Sequence, residues 1–225
     1  MVNHYKMSLP ASYFFLYNIT MKNLPSALPV FPLRGVIYFP KTNLPLNICE
    51  QRYLNLVNDA YNGDKLMGMV QSKKESGSVY QVGCLGKISD YQKSKDGRIL
   101  INLTGISRFK ILEEISNDKL YREFKVDYKD FNEDNIETND LIDTKPLMES
   151  AKNFFKRNGL LLNWKEFEKL DQSQKINTLA MIAPITNEEK QKLLESISLK
   201  NKVETLKSII SFYLHETNFN NQTVQ

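Results

Sequence analysis

The chain has 225 residues, of which 41% are apolar and 25% charged, a composition typical of a globular protein with one large or two small domains. Its net charge of +4 comes from 30 basic and 26 acidic residues that are spread along the chain, without the basic stripe with which a nucleic-acid-binding protein neutralises phosphates. No apolar run reaches the ~20 residues that a membrane span requires, so this composition argues against both of those classes.

The N-terminal residues 1–23 are expected to lie outside the folded part. Their apolar stretch, residues 13–17, lacks the charged flank and the small-residue cleavage site of a signal peptide. We expect a disordered extension, or a start assigned too far upstream, since Met21 opens directly onto the first structured segment. We therefore expect the protein to be cytoplasmic. Cys49 and Cys84, which have apolar neighbours, are predicted to be two buried free thiols.

The following segment carries the signals of a β-sheet. Eight of the nine glycines lie at or before Gly105, which indicates tight turns and close backbone contacts in this part of the chain. Asp96-Gly97 lies between two apolar runs and predicts a β-hairpin with a type I′ turn. Strands are predicted over residues 33–39, 44–48, 65–71, 81–91, 98–103, 108–113 and 124–128.

Prolines interrupt the first of these strands at regular places. A proline removes a donor from a strand ladder, so it is tolerated at strand ends, on edges and at bulges. We therefore predict Pro32 at a strand entrance, Pro40 at a strand exit and Pro45 on an edge or bulge. Prolines at these places favour a small curved barrel over a flat sheet.

One helix is predicted within the β region. Apolar residues recur there at spacings of three, four, seven and eight, and Gly63 follows where the helix would end. A helix packed by one face against a glycine-rich antiparallel sheet indicates a closed or nearly closed barrel. The residues of the apolar face are Tyr53, Leu56, Val57, Ala60 and Tyr61.

The second half of the chain is predicted to be helical. Pro146 and Gly159 bracket a first helix, Pro184 ends a second, Thr186 with Glu189 forms a capping box for a third, and a fourth follows. The predicted fold class is therefore α+β, a β-barrel with one packed helix followed by an α-helical bundle. The predicted divisions are 24–130 for the barrel domain, 131–140 for a linker, 141–217 for the bundle and 218–225 for a disordered tail.

A search for catalytic or metal-binding motifs assigns no site. Gly86-Lys87 is the nearest approach to a phosphate-binding loop, but Ile88 replaces the required hydroxyl residue, and a strand with a glycine bulge explains the segment better. The two histidines, His4 and His215, lie near opposite ends and have no cysteine partners at metal-ligand spacing. No catalytic, cofactor or metal residue is assigned, and partner-binding residues stay unknown, although a lysine-based dyad is left open.

Other polar and aromatic candidates receive structural interpretations. The adjacent carboxylates at 113–114 and 188–189 would face different directions in a strand or helix, so they are interpreted as solvated charges. Trp164 is interpreted as a core or inter-domain anchor, with ligand stacking as the alternative. Glu50 and Arg52 are predicted to form an ion pair at the start of the first helix.

Six segments together resemble one protein family. In chain order they are "LPVFPLRGVIYFP", "NLPLNICEQRYLNLVNDAYNGD", "YQVGCLGKI", "DGRILINLTGISRFKI", "YREFKVDY" and "LAMIAPITNEEKQKLLESISLKNKVETL". Over residues 24–214 the chain resembles the N-terminal, substrate-recognising domain of Lon ATP-dependent proteases. Lys41 departs from the family, which usually places glycine after "FP", so that turn is expected to be built differently.

The resemblance implies a PUA-like pseudo-barrel and a helical bundle, without the family's ATPase and protease domains, as in the free-standing Lon-domain proteins known mostly from bacteria. It implies a non-enzymatic protein without a cofactor. Such a protein would bind unfolded or exposed polypeptide segments as an adaptor or regulator in proteolysis or quality control, with a protease or chaperone as a further partner. Binding of RNA is the alternative, because PUA-like folds elsewhere bind RNA, and hydrolysis is a third reading that the missing domains disfavour. Residues such as Pro32, Leu33, Arg34, Pro45 and Glu50 are interpreted as architectural, with contact to a partner as the alternative.

Overall fold

The computed structural model describes residues 24–73, 77–135 and 142–220, with the backbone alone for residues 216–220. Predictions for residues 1–23, 136–140 and 221–225 lie outside this part of the chain. The strands are β1 (Ala27–Leu33), β2 (Asn43–Ile48), β3 (Leu66–Gln71), β4 (Val82–Lys93), β5 (Ile99–Ile115) and β6 (Arg122–Asp127). The helices are α1 (Gln51–Asn62), α2 (Lys145–Arg157), α3 (Trp164–Phe167), α4 (Gln172–Ile182), α5 (Asn187–Glu195) and α6 (Leu199–Asn220), and a 3-10 segment spans Lys129–Asn135.

Five of these strands close into a ring. The order is β5-β4-β3-β1-β6, and β6 pairs again with β5, while β2 lies outside the ring against the first half of β5. β1 and β3 run parallel, and the other pairs are antiparallel. The closed ring followed by helices confirms the predicted α+β fold with a barrel, and closure removes most of the exposed strand edges.

The long strand β5 replaces two predicted strands, 98–103 and 108–113. Its first half pairs with β2 and its second half with β6, so it turns a corner between two sheet neighbours. Two register shifts in the β4–β5 pairing lie at this corner, with Ile106 as the extra residue of β5 and Ser89 as the extra residue of β4. A bulge bends a strand and increases its twist, so the strand continues through Gly105, where the sequence pattern suggested a break.

Gly105 is the point at which β5 turns. A Cβ atom at Gly105 would lie 2.3 Å from the carbonyl oxygen of Phe39. The Lys41 N–H donates to the Gly105 carbonyl at 2.9 Å, and the Gly105 N–H donates to the Thr42 carbonyl at 2.9 Å. These two bonds hold the turn in place, and Lys41 adopts a φ of 59° within it. Lysine adopts the left-handed conformation here, so the reason for expecting a different turn does not apply.

The first predicted strand, 33–39, is wrong apart from Leu33. β1 ends at Leu33, two residues before Gly35, which has a φ of 86°. β1 pairs with β6 over residues 27–30 and with β3 over residues 30–33, so Pro29 and Pro32 each have a partner strand on one side only. The missing N–H therefore costs no ladder bond. The apolar run that predicted the strand is buried without being paired.

The prolines of this region are only partly where they were predicted. Pro32 lies near the exit of β1 instead of at a strand entrance. Pro40 lies in the turn that precedes β2. Pro45 lies in β2, whose single strand neighbour among the described residues is β5, so its prediction on an edge strand is confirmed.

The predicted hairpin between β4 and β5 is confirmed, but its turn type is wrong. A type I′ turn needs positive φ at both central residues, and of the pair Asp96-Gly97 only Gly97 has one, at 88°. The loop is longer than two residues, since the Ser94 N–H donates to the Arg98 carbonyl at 2.8 Å and the Gly97 N–H donates to the Ser94 carbonyl at 3.1 Å. The extra residues let one left-handed glycine close the loop.

Helix α1 and its ion pair follow the prediction. The helix ends before Gly63 and buries Tyr53, Leu56, Val57 and Ala60 against the sheet. The side chains of Arg52 and Glu50 lie 2.9 Å apart, and both are more than half exposed. An exposed pair of this kind adds little stability, so the apolar face holds the helix in place.

The predicted helices of the second half are all present, and the capping box of Thr186 with Glu189 is confirmed. Gly159 follows α2 with a φ of 67°, as a helix-ending glycine does. The short α3, capped by Asn163, was missed because four residues are too few to show a helical period. α6 continues to Asn220, past the predicted end at residue 217.

The helices share one core with part of the barrel. Ile37 and Phe39, from the segment that precedes β2, pack in the same cluster as the buried residues of α2, α4, α5 and α6. Phe131 and Asp134, which fall in the predicted linker 131–140, are 3% and 8% exposed. The start of that segment is therefore a packed 3-10 turn, because its single aromatic ring and one paired carboxylate are buried among otherwise polar residues.

A buried arginine connects the barrel to the helices. Arg108 of β5 is 2% exposed, and its guanidinium pairs with the Asp134 carboxylate at 2.8 Å and lies 4.4 Å from the centre of the Phe131 ring. It also donates to the Leu194 carbonyl at 2.9 Å and to the Ser196 carbonyl, at the end of α5. One side chain therefore joins the barrel, the 3-10 segment and the last turn of a helix, where a cation is favoured.

Lys202 of α6 is buried next to this network. It is 2% exposed, and its amine donates to the Asn177 Oδ1 at 2.7 Å and lies 5.5 Å from the centre of the Phe39 ring. The Asn177 amide in turn donates to the Pro40 carbonyl at 3.0 Å. Burial lowers the pKa of Lys202 to about 7. Of the charged and titratable neighbours, Arg108 lowers this pKa further, while Asp134 and Cys84 raise it.

Substituting Gly105 by alanine should destabilise the fold, because the added Cβ would collide with the Phe39 backbone at the corner of β5. We expect Gly105→Ala to lower the free energy of unfolding by about 1–3 kcal/mol, as overpacking does. Gly63→Ala is the matched control, since the nearest atom to its Cβ is 3.4 Å away. Urea denaturation of both variants measures the difference, and equal stability would contradict the tight contact at Gly105.

The lysine at position 202 should make stability depend on pH. The pKa of Lys202 is lowered in the folded state, so between about pH 7 and the ordinary lysine pKa of 10.5 the unfolded chain binds one more proton. This lysine's contribution to stability therefore rises with pH across that window. Lys202→Met should remove this rise. The free energy of unfolding of the variant should therefore increase relative to that of the wild type as the pH falls from 9.5 to 6.5.

Urea denaturation at several pH values measures this effect. Lys207→Met, at an exposed position of the same helix, controls for the loss of a lysine. A difference between wild type and Lys202→Met that is the same at every pH would contradict the lowered pKa.

Candidate functional site

A cleft of about 530 Å³ lies between α1 and the β4–β5 hairpin. Its wall on one side is the exposed face of α1, and on the other side the ends of β4 and β5 with their connecting turn. This cleft, called here the hairpin cleft, is lined by Cys49, Gln51, Leu54, Asn58, Lys93, Asp96, Gly97, Arg98 and Ile99.

The α1 wall follows from the helical period. Gln51, Leu54 and Asn58 are spaced by three and four residues, so they lie on one face of the helix, away from the residues buried against the sheet. The Tyr91 hydroxyl donates to the Asn58 Oδ1 at 2.8 Å, which ties this face to β4. Tyr91 also stacks on Tyr61 with ring centres 4.2 Å apart, so two contacts join α1 to β4 beside the cleft.

The hairpin wall carries charged side chains. The Asp96 carboxylate and the Arg98 guanidinium lie 2.6 Å apart, and both are about half exposed. Their hydrogen bond lowers the pKa of Asp96 and raises the pKa of Arg98, so both groups are charged at neutral pH. Lys93 is exposed at the end of β4 and makes no ion pair with another described residue. The cleft therefore presents one surplus positive charge.

β4 has a free edge beside the hairpin cleft. Its pairing with β3 ends at Lys87, and the Ile88 N–H donates to the Lys65 carbonyl at 2.8 Å. Beyond that point its strand neighbour within the described ranges is β5 alone. Because Ser94 bonds Arg98 across the hairpin and antiparallel bonding alternates, the main-chain groups of Tyr91 and Lys93 point away from β5.

The other open edge, β2, is poorly suited to pairing. The Gly105 N–H donates to the Thr42 carbonyl, so the even-numbered residues of β2 bond β5 and the odd-numbered ones face outward. Pro45 therefore removes the central donor of the outward row. Natural sheets use proline in this way to block edge pairing.

Large apolar side chains are also exposed, but they are scattered. Leu160 and Leu161 lie next to each other after α2, where Leu161 is 97% exposed, and the others are distributed over β5, loops and α6. Exposed apolar residues that occur singly are normal on globular proteins, although each can contact an unfolded chain. The set comprises Leu100, Leu112, Leu120, Leu160, Leu161, Ile197 and Phe212.

The two cysteines differ from the prediction. Both are free, but only Cys84 is buried, while Cys49 is exposed at the mouth of the hairpin cleft. Burial raises the pKa of the Cys84 thiol well above its usual value, so this thiol is unreactive. The prediction of two buried thiols is wrong for Cys49 because it follows the last residue of β2, where the chain leaves the core.

The interpretation of the glycine-rich segment at Gly86 is confirmed. The segment is part of β4, with a register shift between Leu85 and Gly86. A Cβ at Gly86 would lie 2.5 Å from Leu103, so the glycine is needed for close strand packing and does not cradle a phosphate.

Trp164 packs within the helical part. Its ring contacts Phe155 and Phe167 with centres 5.9 and 5.4 Å apart, and Lys152 lies 5.4 Å from its centre. The interpretation as a packing anchor therefore holds. Leu33 is half-buried at the end of β1, and Arg34 is exposed beside it.

The acidic pairs have structural partners. Glu113 and Glu114 pair with Lys125 and Arg122 across β5 and β6. Glu189 forms the cap of α5, whereas the neighbouring Glu188 is exposed. Within the described residues, no three His, Cys, Asp or Glu side chains are placed to hold a metal ion, and none of the helices there is long and apolar enough to cross a membrane.

Sequence reasoning found both walls of the hairpin cleft but not the cleft. It predicted α1 and the Asp96-Gly97 hairpin, and it left Asn58, Lys93 and Arg98 without a role. The usable signal was the polar face of α1 at positions 51, 55 and 58, together with three basic residues in "KSKDGR". No local pattern shows that these two elements meet in space.

Comparison with known proteins gives consistent matches. The chain is 24% identical over 205 residues to the Lon protease of Dictyoglomus thermophilum and 27% identical over 210 residues to that of Syntrophus aciditrophicus. These alignments cover 86% and 85% of this chain but only 25% and 26% of the two proteases. The chain thus spans about a quarter of the length of these relatives.

Two solved structures share the fold. The Lon N-terminal domain protein from Xanthomonas campestris superposes with a TM-score of 0.59 at 21% identity. The N-terminal domain of the Mycobacterium avium complex Lon protease superposes with a TM-score of 0.60 at 16% identity. Each alignment covers 82% of this chain and 98% of the other. Residues 27–211 match the family described as the ATP-dependent protease La (LON) substrate-binding domain, and the chain therefore belongs to this family.

Proposed function

We propose that this chain binds unfolded or exposed polypeptide segments and acts in the cytoplasm as a non-catalytic adaptor or regulator of proteolysis. The observation that carries the proposal is membership of the substrate-binding family over residues 27–211, a range that takes in both the barrel and the helices. Family membership of a binding domain supports a binding role for the matched residues. A protease or a chaperone is the expected further partner.

The surface of the barrel and helices suits this role. An unfolded chain offers apolar side chains and unpaired main-chain groups. The exposed leucines, Ile197 and Phe212 can contact the former, and the free edge of β4 can pair with the latter. Scattered contacts of this kind favour broad recognition of unfolded segments over one tight complex.

RNA binding is the less favoured alternative. Several basic side chains of the barrel are paired with acidic ones, as in Arg122 with Glu114 and Lys119 with Glu123. Such interspersed charges do not form the continuous basic surface that phosphate contacts need.

The proposal predicts binding of unfolded proteins without nucleotide. We expect the chain to bind reduced, carboxymethylated α-lactalbumin about tenfold more tightly than the native, folded form of that protein, a difference of about 1.4 kcal/mol. The physical reason is that only the unfolded form exposes apolar side chains and unpaired main-chain groups. Fluorescence anisotropy with labelled clients measures the two affinities.

Equal affinity for the folded and unfolded client would contradict the proposal. Filter binding of a single-stranded RNA across a salt series serves as the control for the alternative. Tight RNA binding that falls steeply as salt rises would favour the RNA-binding function instead.

A further inference from the structure

We propose that the hairpin cleft and the adjoining edge of β4 bind an extended polypeptide segment that carries an acidic side chain, Asp or Glu. The inference rests on the proposed function and names the kind of segment and the surface that takes it. The segment would pair with the main chain of β4 and place its carboxylate between α1 and the hairpin.

The main-chain part of the site is the open edge of β4. Tyr91 and Lys93 direct their N–H and C=O groups away from β5, where no described strand lies. An extended peptide satisfies such groups by adding one strand to the sheet. The edge has no proline, in contrast to β2, where Pro45 blocks the outward row. β4 is therefore the better of the two edges for strand addition.

The charge of the hairpin selects the side chain of the segment. Lys93, Lys95 and Arg98 lie on or next to the turn with a single carboxylate, Asp96. Arg98 uses its Nε and one terminal nitrogen for Asp96, at 2.7 and 2.6 Å, so the other terminal nitrogen remains available to a second carboxylate. Lys93 lines the cleft without an ion-pair partner among the described side chains. A carboxylate is the complementary group.

The α1 wall completes a site of suitable size and chemistry. Leu54 offers an apolar surface for the carbon chain of an acidic residue, and the amide side chains of Gln51 and Asn58 border it. The Asn58 Oδ1 accepts a hydrogen bond from the Tyr91 hydroxyl. The Asn58 amide nitrogen therefore points away from Tyr91 and can donate to another group. A volume of about 530 Å³ lies in the range of small-ligand pockets, so it holds one side chain with its flanking main chain.

Cys49 allows a direct test in the unmodified protein. It is exposed at the mouth of the cleft, and the only other cysteine of the sequence, Cys84, is buried with a raised thiol pKa. The experiment measures the rate at which a maleimide modifies Cys49 while a peptide is titrated in. The probes are three extended peptides with blocked termini that are identical except for one central residue, Glu, Gln or Lys.

We expect the Glu peptide to slow the modification of Cys49 in proportion to the bound fraction. The Gln peptide should bind about three- to fivefold more weakly, as expected for the loss of an exposed ion pair, and the Lys peptide more weakly still. Blocked termini exclude a contribution from a C-terminal carboxylate. Equal affinities for the three peptides would overturn the choice of an acidic side chain.

Charge reversal at Lys93 identifies the residue that reads the carboxylate. Lys93→Glu should lower the affinity for the Glu peptide and raise the affinity for the Lys peptide. A merely structural role of Lys93 would not produce this exchange. Lys207→Glu, an exposed lysine of α6 outside the cleft, is the matched control and should leave the order of the peptides unchanged.

The test separates this inference from the proposed function. If unfolded α-lactalbumin binds without protecting Cys49, the polypeptide-binding function stands and the hairpin cleft is the wrong site. If neither the unfolded protein nor any peptide binds, the proposed function itself fails. Protection of Cys49 by a simple anion such as acetate, with none by the peptides, would show a small-anion site and overturn the inference.

Discussion

The buried pair of Arg108 and Asp134 is the interaction on which the arrangement of the barrel and the helices depends. Arg108 lies on the barrel strand β5, and Asp134 lies on the 3-10 segment that leaves the barrel. Arg108 also donates to the carbonyls of Leu194 and Ser196 at the end of α5. Burying a charge is unfavourable unless every donor is satisfied, and leaving one partner of such a pair alone costs about 3–5 kcal/mol. The geometry is therefore strongly constrained, and the helices pack against the barrel in one position.

The buried contacts between barrel and helices lie apart from the hairpin cleft, which is the surface available to partners. Phe39 is buried on the helical side of the barrel in a core cluster that includes residues of five helices, and the buried Lys202 lies over its ring. The hairpin cleft borders a different cluster, formed between α1 and the sheet. Strand β4 spans both regions, since Val82 packs against the helical cluster and Lys93 lies at the cleft. A partner at the hairpin cleft would therefore contact side chains that lie outside the helical core cluster, on a strand that the core cluster anchors.

The sequence predicted most elements because their signals are local. The helical period of α1 and of the four longer C-terminal helices, the capping box at Thr186 and the hairpin at Asp96-Gly97 each depend on neighbours in the chain. The failures have long-range causes. Residues 36–39 have strand chemistry but form no strand, and Ile37 and Phe39 are buried against the C-terminal helices. The start of the predicted linker is fixed by Arg108, which lies 26 residues before Asp134. The hairpin cleft was missed for the same reason, since its walls are distant in sequence.

The sequence alone determined the fold class, the succession of a β region and a helical region, and the family, because periodicity, caps and motif segments are read along the chain. Tertiary structure alone decided that β5 is one bent strand around Gly105, that Cys49 is exposed and Cys84 buried, and that β4 rather than β2 has the usable edge. These properties depend on which segments meet in space. A residue's burial and the direction of its free main-chain groups are set by partners far along the chain, which no local pattern encodes.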